Sequence, residues 1–175
     1  METDRYPMNE PAEKGLLAAL SKLDLSPEQL GIVVVDHGSR IEESNRRLGE
    51  VVSLFQKVTS WQNIEAAHME LAEPSIATAF ARCVVAGAEW VVVHPFFLLP
   101  GRHWTEDIPR LARAAARPFP QVRHLVSAPL GAHELIARLM HLRVSTCLEH
   151  AAGLRSDCDL CHGDRCGPES SSTTC

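Results

Sequence analysis

At 175 residues, with 45% apolar and 22% charged side chains, the chain has the size and composition of one globular domain with a real core. No apolar run reaches the ~20 residues that span a bilayer, and a net charge of −5 excludes the general basic face of a nucleic-acid binder. Residues 1–31 hold Glu2, Asp4, Glu10 and Glu13 and lack both the Arg/Ser bias of a transit peptide and an apolar secretory core, so a cytoplasmic protein or a mature organellar one is expected.

In chain order, residues 16–23 suit a short amphipathic helix, and Ser26-Pro27-Glu28-Gln29 is a helix-start signature: hydroxyl cap, Pro at the first position, Gln at the third. Residues 1–30 therefore read as a peripheral helical arm without chemistry. Ile32-Val33-Val34-Val35 is a β-branched run typical of a strand buried on both faces. Residues 43–57 follow as a helix, with Leu48, Val51, Val52 and Phe55 on one stripe. Residues 63–70 are a weaker strand. Pro74 opens a helix reaching Ala86, with Gly87 as its stop. Trp90-Val91-Val92-Val93 is a second doubly buried strand. Residues 107–116 are helical up to Pro118, 122–127 form a fourth strand, and 132–150 a long final helix. This alternation predicts an α/β fold: an open parallel sheet of about four strands flanked by helices, in one domain over 31–152. Residues 153–175 change character and form a cysteine-rich tail whose polar end is expected to be disordered.

Ligands of such sheets bind at the carboxyl ends of the strands. That selects residues 36–45, 70–75, 94–103 and 127–133. In the first, His37 stands at a strand end, Gly38 permits a sharp turn or a close approach, and Ser39 and Arg40 suit an anionic group. A lone His in a loop more often only caps hydrogen bonds; the Gly-Ser-Arg context favours function. The second places Glu70 and Glu73 where a proton acceptor or cation contact is plausible, although Glu73 before Pro74 is also an ordinary helix-start residue. The third runs from Phe96, Phe97, Leu98 and Leu99 through a turn at Pro100-Gly101 to Arg102, His103 and Trp104. Apolar residues in a loop suit a wall for a large, flat ligand, unless Phe96 and Phe97 complete the core. Among the other histidines only His133 stays in reserve.

Cys147, Cys158, Cys161 and Cys166 include a CxxC pair, a signal for zinc or an iron–sulfur cluster rather than a disulfide framework; loose thiols are the alternative. Cys83 reads as core.

The segments VVVDHGSR with Asn45, HMELAEPSI, HPFFLLPGRHWTEDIP and SAPLGAHEL span about a hundred residues and resemble the small class II chelatases, in their sirohydrochlorin-metallating branch. The tail with CDLCHGDRC resembles the plant-type members, where a [2Fe–2S] cluster accompanies the enzyme. The resemblance implies a lyase-class ferrochelatase that inserts Fe²⁺ into sirohydrochlorin to give sirohaem. It implies His37 as metal ligand and proton acceptor, His103 as second ligand, and Glu73, Leu98, Leu99, Pro100, Gly101 and Arg102 as substrate contacts. It also implies a homodimer, because larger members carry two lobes, and a plastid stroma location if the chain is a processed plant or algal protein.

The chemistry agrees with that implication. Metallation requires stripping water from a cation and removing two pyrrole protons. Neutral imidazole binds first-row metals and accepts protons. Two histidines hold an ion without a closed cage, and Arg40, Arg102, Arg46 or Arg47 can fork onto the substrate's carboxylates. Phe96, Phe97 and Trp104 are candidates for the ring face. Three rivals remain: cobalt insertion at the same site, phosphoryl transfer through a His nucleophile, and a metallochaperone or redox sensor built on the cysteine tail.

Overall fold

The computed structural model describes residues 10–156 except Ser60, and the side chains from Lys14 onward. Two compact units divide the chain, Met1–Gly131 and Ala132–Cys175.

The first unit is built on four strands: β1 (Leu30–Asp36), β2 (Ile64–His68), β3 (Trp90–Pro95) and β4 (Arg123–Val126). All pairings are parallel, in the order β2-β1-β3-β4. The expected open α/β sheet is therefore present, and its order was not readable from the strands themselves. β1 is buried over its first six residues because helices cover both faces. Val33 and Val35 pack with Val91, Val93 and the helices α3 (Ile76–Val85) and α4 (Ile108–Ala116). Ile32 and Val34 face the other way, onto Leu20 of α1 (Glu10–Leu23) and Leu48 and Val52 of α2 (Glu42–Thr59). Strand alternation sends neighbouring side chains to opposite faces, and β-branched residues suit both.

Several boundaries differ from those expected. The Ser26-Pro27 signature produces only a three-residue 3-10 turn, Pro27–Gln29, because the β-branched run begins at once. Its Gln29 side chain still accepts from the Ser26 backbone N–H at 2.8 Å. Pro74 does not open α3: Ser75 is the cap, its hydroxyl accepting from the Thr78 N–H. β1 and β3 run one and two residues further than the apolar runs, to Asp36 and Pro95, so Asp36 and His94 belong to strands. Residues His103–Asp107 form a π-helical turn that leads into α4, so His103 stands on a helical turn rather than in an open loop.

The second unit contains α5 (Glu134–Ala151), capped by the His133 side chain, which accepts from the Leu135 N–H at 3.2 Å. Leu135, Leu139, Leu142, Val144 and Leu148 of this helix are exposed. Among the described residues, no helix is long and apolar enough to cross a membrane.

Candidate functional site

In the order β2-β1-β3-β4, the chain leaves β1 toward one edge and returns past it to reach β3. The carboxyl ends of β1 and β3 are therefore where the connections part, the usual ligand crevice of such sheets. His37 follows β1 there, and the segment after β3 carries Phe97 and His103. The imidazoles of His37 and His103 lie 4.7 Å apart between centroids, edge to face at 85°. Phe97 stands 4.7 Å from His37, while its ring also packs on the core. Both histidines are exposed, so an ion held between them can be received and handed on.

His103 is held from behind. Its Nδ1 lies 2.9 Å from Asp107 Oδ2, one turn on. A carboxylate offers only lone pairs, so Nδ1 carries the hydrogen and Nε2 keeps a free lone pair. This is the carboxylate–imidazole arrangement that orients metal-binding histidines. The hydrogen bond from His103 holds the Asp107 carboxyl below its ordinary range, with Arg110 and Arg102 adding to the effect. Trp104 anchors the same turn: its indole N–H donates to the Ser127 carbonyl at 3.0 Å. The indole was expected on a ligand face; half-buried, it ties the turn to the end of β4.

The His37 turn is held just as closely. Gly38 has φ +79°, and a Cβ there would lie 2.2 Å from the Glu70 carbonyl oxygen, so only glycine fits. Met69 N–H donates to the Asp36 carbonyl at 2.8 Å and Glu70 N–H to the His37 carbonyl at 3.2 Å. The backbone of the segment after β2 thus lies directly against His37, and the Glu70 side chain of that segment is exposed. Asp36 Oδ1 accepts from Gly38 N–H at 2.8 Å and lies 2.6 Å from Nδ1 of His68, a buried histidine. Ser39 and Asn45 lock the next residues: Ser39 N–H donates to Asn45 Oδ1 at 2.8 Å, and Asn45 Nδ2 donates to the Ser39 carbonyl at 2.9 Å.

The remaining expected residues fall into two groups. Leu98, Leu99, Pro100, Gly101 and Arg102 are exposed after β3, and Arg40 after β1. Arg102 pairs with Glu106 at 3.2 Å. The Glu73 carboxylate instead serves α3, accepting from Ser75 N–H at 2.7 Å and Thr78 Oγ1 at 3.0 Å. These bonds, the backbone one first, lower its pKa. Arg46 and Arg47 pair with Glu43 on the exposed side of α2. Phe97 supplies core and site wall together; Phe96 is exposed. Cys147 is an exposed free thiol on α5, while Cys158, Cys161 and Cys166 lie outside the described residues.

Asp36, His68 and Asp107 were missed in the sequence. Asp107 was within reach, since it stands four residues after His103. The Asp36–His68 pair depends on strand register, which puts the two residues opposite each other in β1 and β2.

Comparison with known proteins identifies the family of the chain. The chain is 50% identical over 133 residues to "Sirohydrochlorin ferrochelatase, chloroplastic" of Arabidopsis thaliana, an alignment covering 76% of this chain and 59% of that protein. It is 30% identical to "Sirohydrochlorin cobaltochelatase" of Methanosarcina acetivorans, covering 69% of this chain and 98% of the relative. Among solved structures, "SirB from Bacillus subtilis with Fe3+" superposes with a TM-score of 0.63 at 30% identity, over 67% of this chain and 47% of that one. The chain thus spans little more than half the length of the Arabidopsis relative. The CbiX family model matches residues 31–147, the whole sheet with both histidines, and the chain belongs to that family of class II chelatases.

Proposed function

We propose that this chain inserts Fe²⁺ into sirohydrochlorin to form sirohaem. The observation that carries the reading is the His37–His103 pair, 4.7 Å apart at the switch point of the sheet, with Asp107 fixing one ring from behind. His103 offers Nε2 to the ion. His37 serves as the second ligand and, once the ion passes into the ring, as acceptor of a pyrrole proton. Glu70, exposed on the segment that clasps His37, is a further candidate for that proton. An open pair of imidazoles suits transfer better than a four-ligand cage, which would retain the metal. Phe97, Leu98 and Leu99 offer apolar surface to the macrocycle. Ser39, Arg40, Pro100, Gly101 and Arg102 lie at the same edge, where N–H, hydroxyl and guanidinium groups suit its carboxylates. Glu73, through the helix start it holds, shapes the segment bearing Glu70.

Iron is favoured over cobalt by the 50% identity to a protein named as a ferrochelatase; the cobaltochelatase of Methanosarcina acetivorans is 30% identical. Purified protein should metallate sirohydrochlorin with Fe²⁺, followed by the visible absorption of the macrocycle, and His37→Ala should abolish the reaction. A rate with Co²⁺ alone would move the reading to cobalt, and failure with both metals would overturn it.

Four thiolates suit a [2Fe–2S] cluster or zinc as donor set. The exposure of Cys147 fits a ligand, and with Cys158, Cys161 and Cys166 it would hold the group, which supplies electron transfer or a structural clasp when bound. The visible spectrum of anaerobically purified protein separates cluster from zinc. A metallochaperone role would need the tail; the present reading expects the chain without residues 157–175 still to insert metal. The single lobe and the exposed apolar residues of α5 support a homodimer, and the name of the Arabidopsis relative supports a plastid location.

A further inference from the structure

The most unusual polar feature outside the two metal-facing rings is His68, which is 3% exposed at the end of β2. A buried imidazole needs a partner, and its Nδ1 has one in Asp36 Oδ1 at 2.6 Å. Strand register puts Asp36 and His68 side by side, so the contact needs no reach across the sheet. The same Oδ1 also accepts from Gly38 N–H at 2.8 Å, and this bond closes a turn with His37 at its middle.

We infer that Asp36 and His68 are positioning residues for the metal-binding His37: the buried imidazole fixes the Asp36 carboxylate, and the carboxylate fixes the turn that aims His37 at His103. This inference rests on the reading of His37 as a metal ligand. The geometry supports a positioning role over a merely packed core histidine for two reasons. First, Asp36 remains partly exposed, with side-chain exposure of 27%, so without His68 its carboxylate is free to turn to water and release Gly38. Second, the other clamps on this segment, from Met69 N–H and Glu70 N–H, hold only the carbonyls of Asp36 and His37. The Glu70 bond holds the carbonyl side of the His37–Gly38 peptide, and its N–H side is held by the Asp36 side chain. The device parallels Asp107 behind His103 but works one step further out, through backbone instead of ring.

The test uses His68→Leu, Asp36→Ala, the double variant and His68→Asn in the full chain. Binding of Co²⁺ to the protein alone is measured together with the kinetics of metal insertion. His68→Leu and Asp36→Ala should each lower Co²⁺ affinity or kcat about 10–100-fold, with the KM for sirohydrochlorin unchanged. The double variant should be no worse than either single one, because both remove one device. His68→Asn should recover most of the loss, since its amide N–H₂ takes the place of imidazole Nδ1–H. Wild-type metal affinity and kcat in Asp36→Ala would overturn the inference, as would additive losses or an Asn variant as impaired as the Leu one. Should His68→Leu fail to fold, Asp36→Ala decides, with its thermal midpoint read alongside because it takes the partner from the buried His68. Wild-type protein and His37→Ala serve as controls. If wild type inserts no metal, or His37→Ala keeps full activity, the chelatase reading fails; if both behave as expected and the pair is silent, only this inference does.

Discussion

At the scale of the residue, the site is governed by what each side chain cannot do. Gly38 cannot carry a Cβ, because the Glu70 carbonyl oxygen occupies that space and φ is +79°. Gly38→Ala should therefore destabilise the protein by about 1–3 kcal/mol, read as a shift in urea midpoint, and should lower metal insertion by separating His37 from the clasping segment. His103 cannot offer Nδ1 to a metal while it donates to Asp107. Asp107→Asn keeps the shape but can present an N–H where a lone pair is needed. It should weaken Co²⁺ binding about 10–100-fold, measurable by titration, with the thermal midpoint nearly unchanged. These constraints were half legible in the sequence. The DHGS and GRHW strings stood out, whereas Asp36 and His68 are 32 residues apart and meet only through strand pairing.

At the scale of the element, the π-helical turn His103–Asp107 carries more of the candidate site than any regular helix. Such turns are uncommon and concentrate at functional sites. Here the turn faces His103 toward His37 and places Asp107 within hydrogen-bond reach behind it. Trp104 secures it to the end of β4 through one hydrogen bond. Trp104→Phe keeps the ring packing but loses that bond, so it should cost about 1 kcal/mol in thermal unfolding. Its effect on kcat should be larger than so small a loss of stability explains, because the turn that bears His103 slackens. A periodicity argument finds α4 from its alanines and Ile108 but not the turn before it, since five residues of His, Trp, Thr, Glu and Asp type give no repeat to read.

At the scale of the whole molecule, the sheet separates stability from chemistry. The carboxyl edge is open to solvent, while the interior is closed around Phe80, Ile108, Val33 and Val91, all fully buried. Phe80→Ala should cost about 3–5 kcal/mol in denaturant unfolding. The pH dependence of stability is set partly by His94, whose Nδ1 lies 2.7 Å from Ser127 Oγ. Burial lowers its pKa below the ordinary histidine value. The unfolded chain then binds that proton more readily than the folded one, so the stabilisation is complete above about pH 6.5 and is lost as pH falls through it. Thermal midpoints measured from about pH 7 down to about pH 5 should fall less in His94→Gln than in wild type. Glu73 and Asp107, with lowered pKa values, act in a lower window: their contribution is present above the ordinary carboxylate range and disappears below it.

The sequence by itself determined the class of fold and singled out the two histidines as candidates. Short β-branched runs favour strands covered on both faces, helical stripes between them require crossovers, and the residues after such strands lie at one edge. Strand order is another matter, because four similar apolar runs do not state which lies beside which. Only the tertiary structure placed β1 against β3 and so brought His37 to 4.7 Å from His103. It also paired β1 with β2 in the register that joins Asp36 to His68, and it turned Glu73 toward its own helix. Hydrogen bonds between distant residues depend on distances of a few ångströms, which chain order does not encode and packing does.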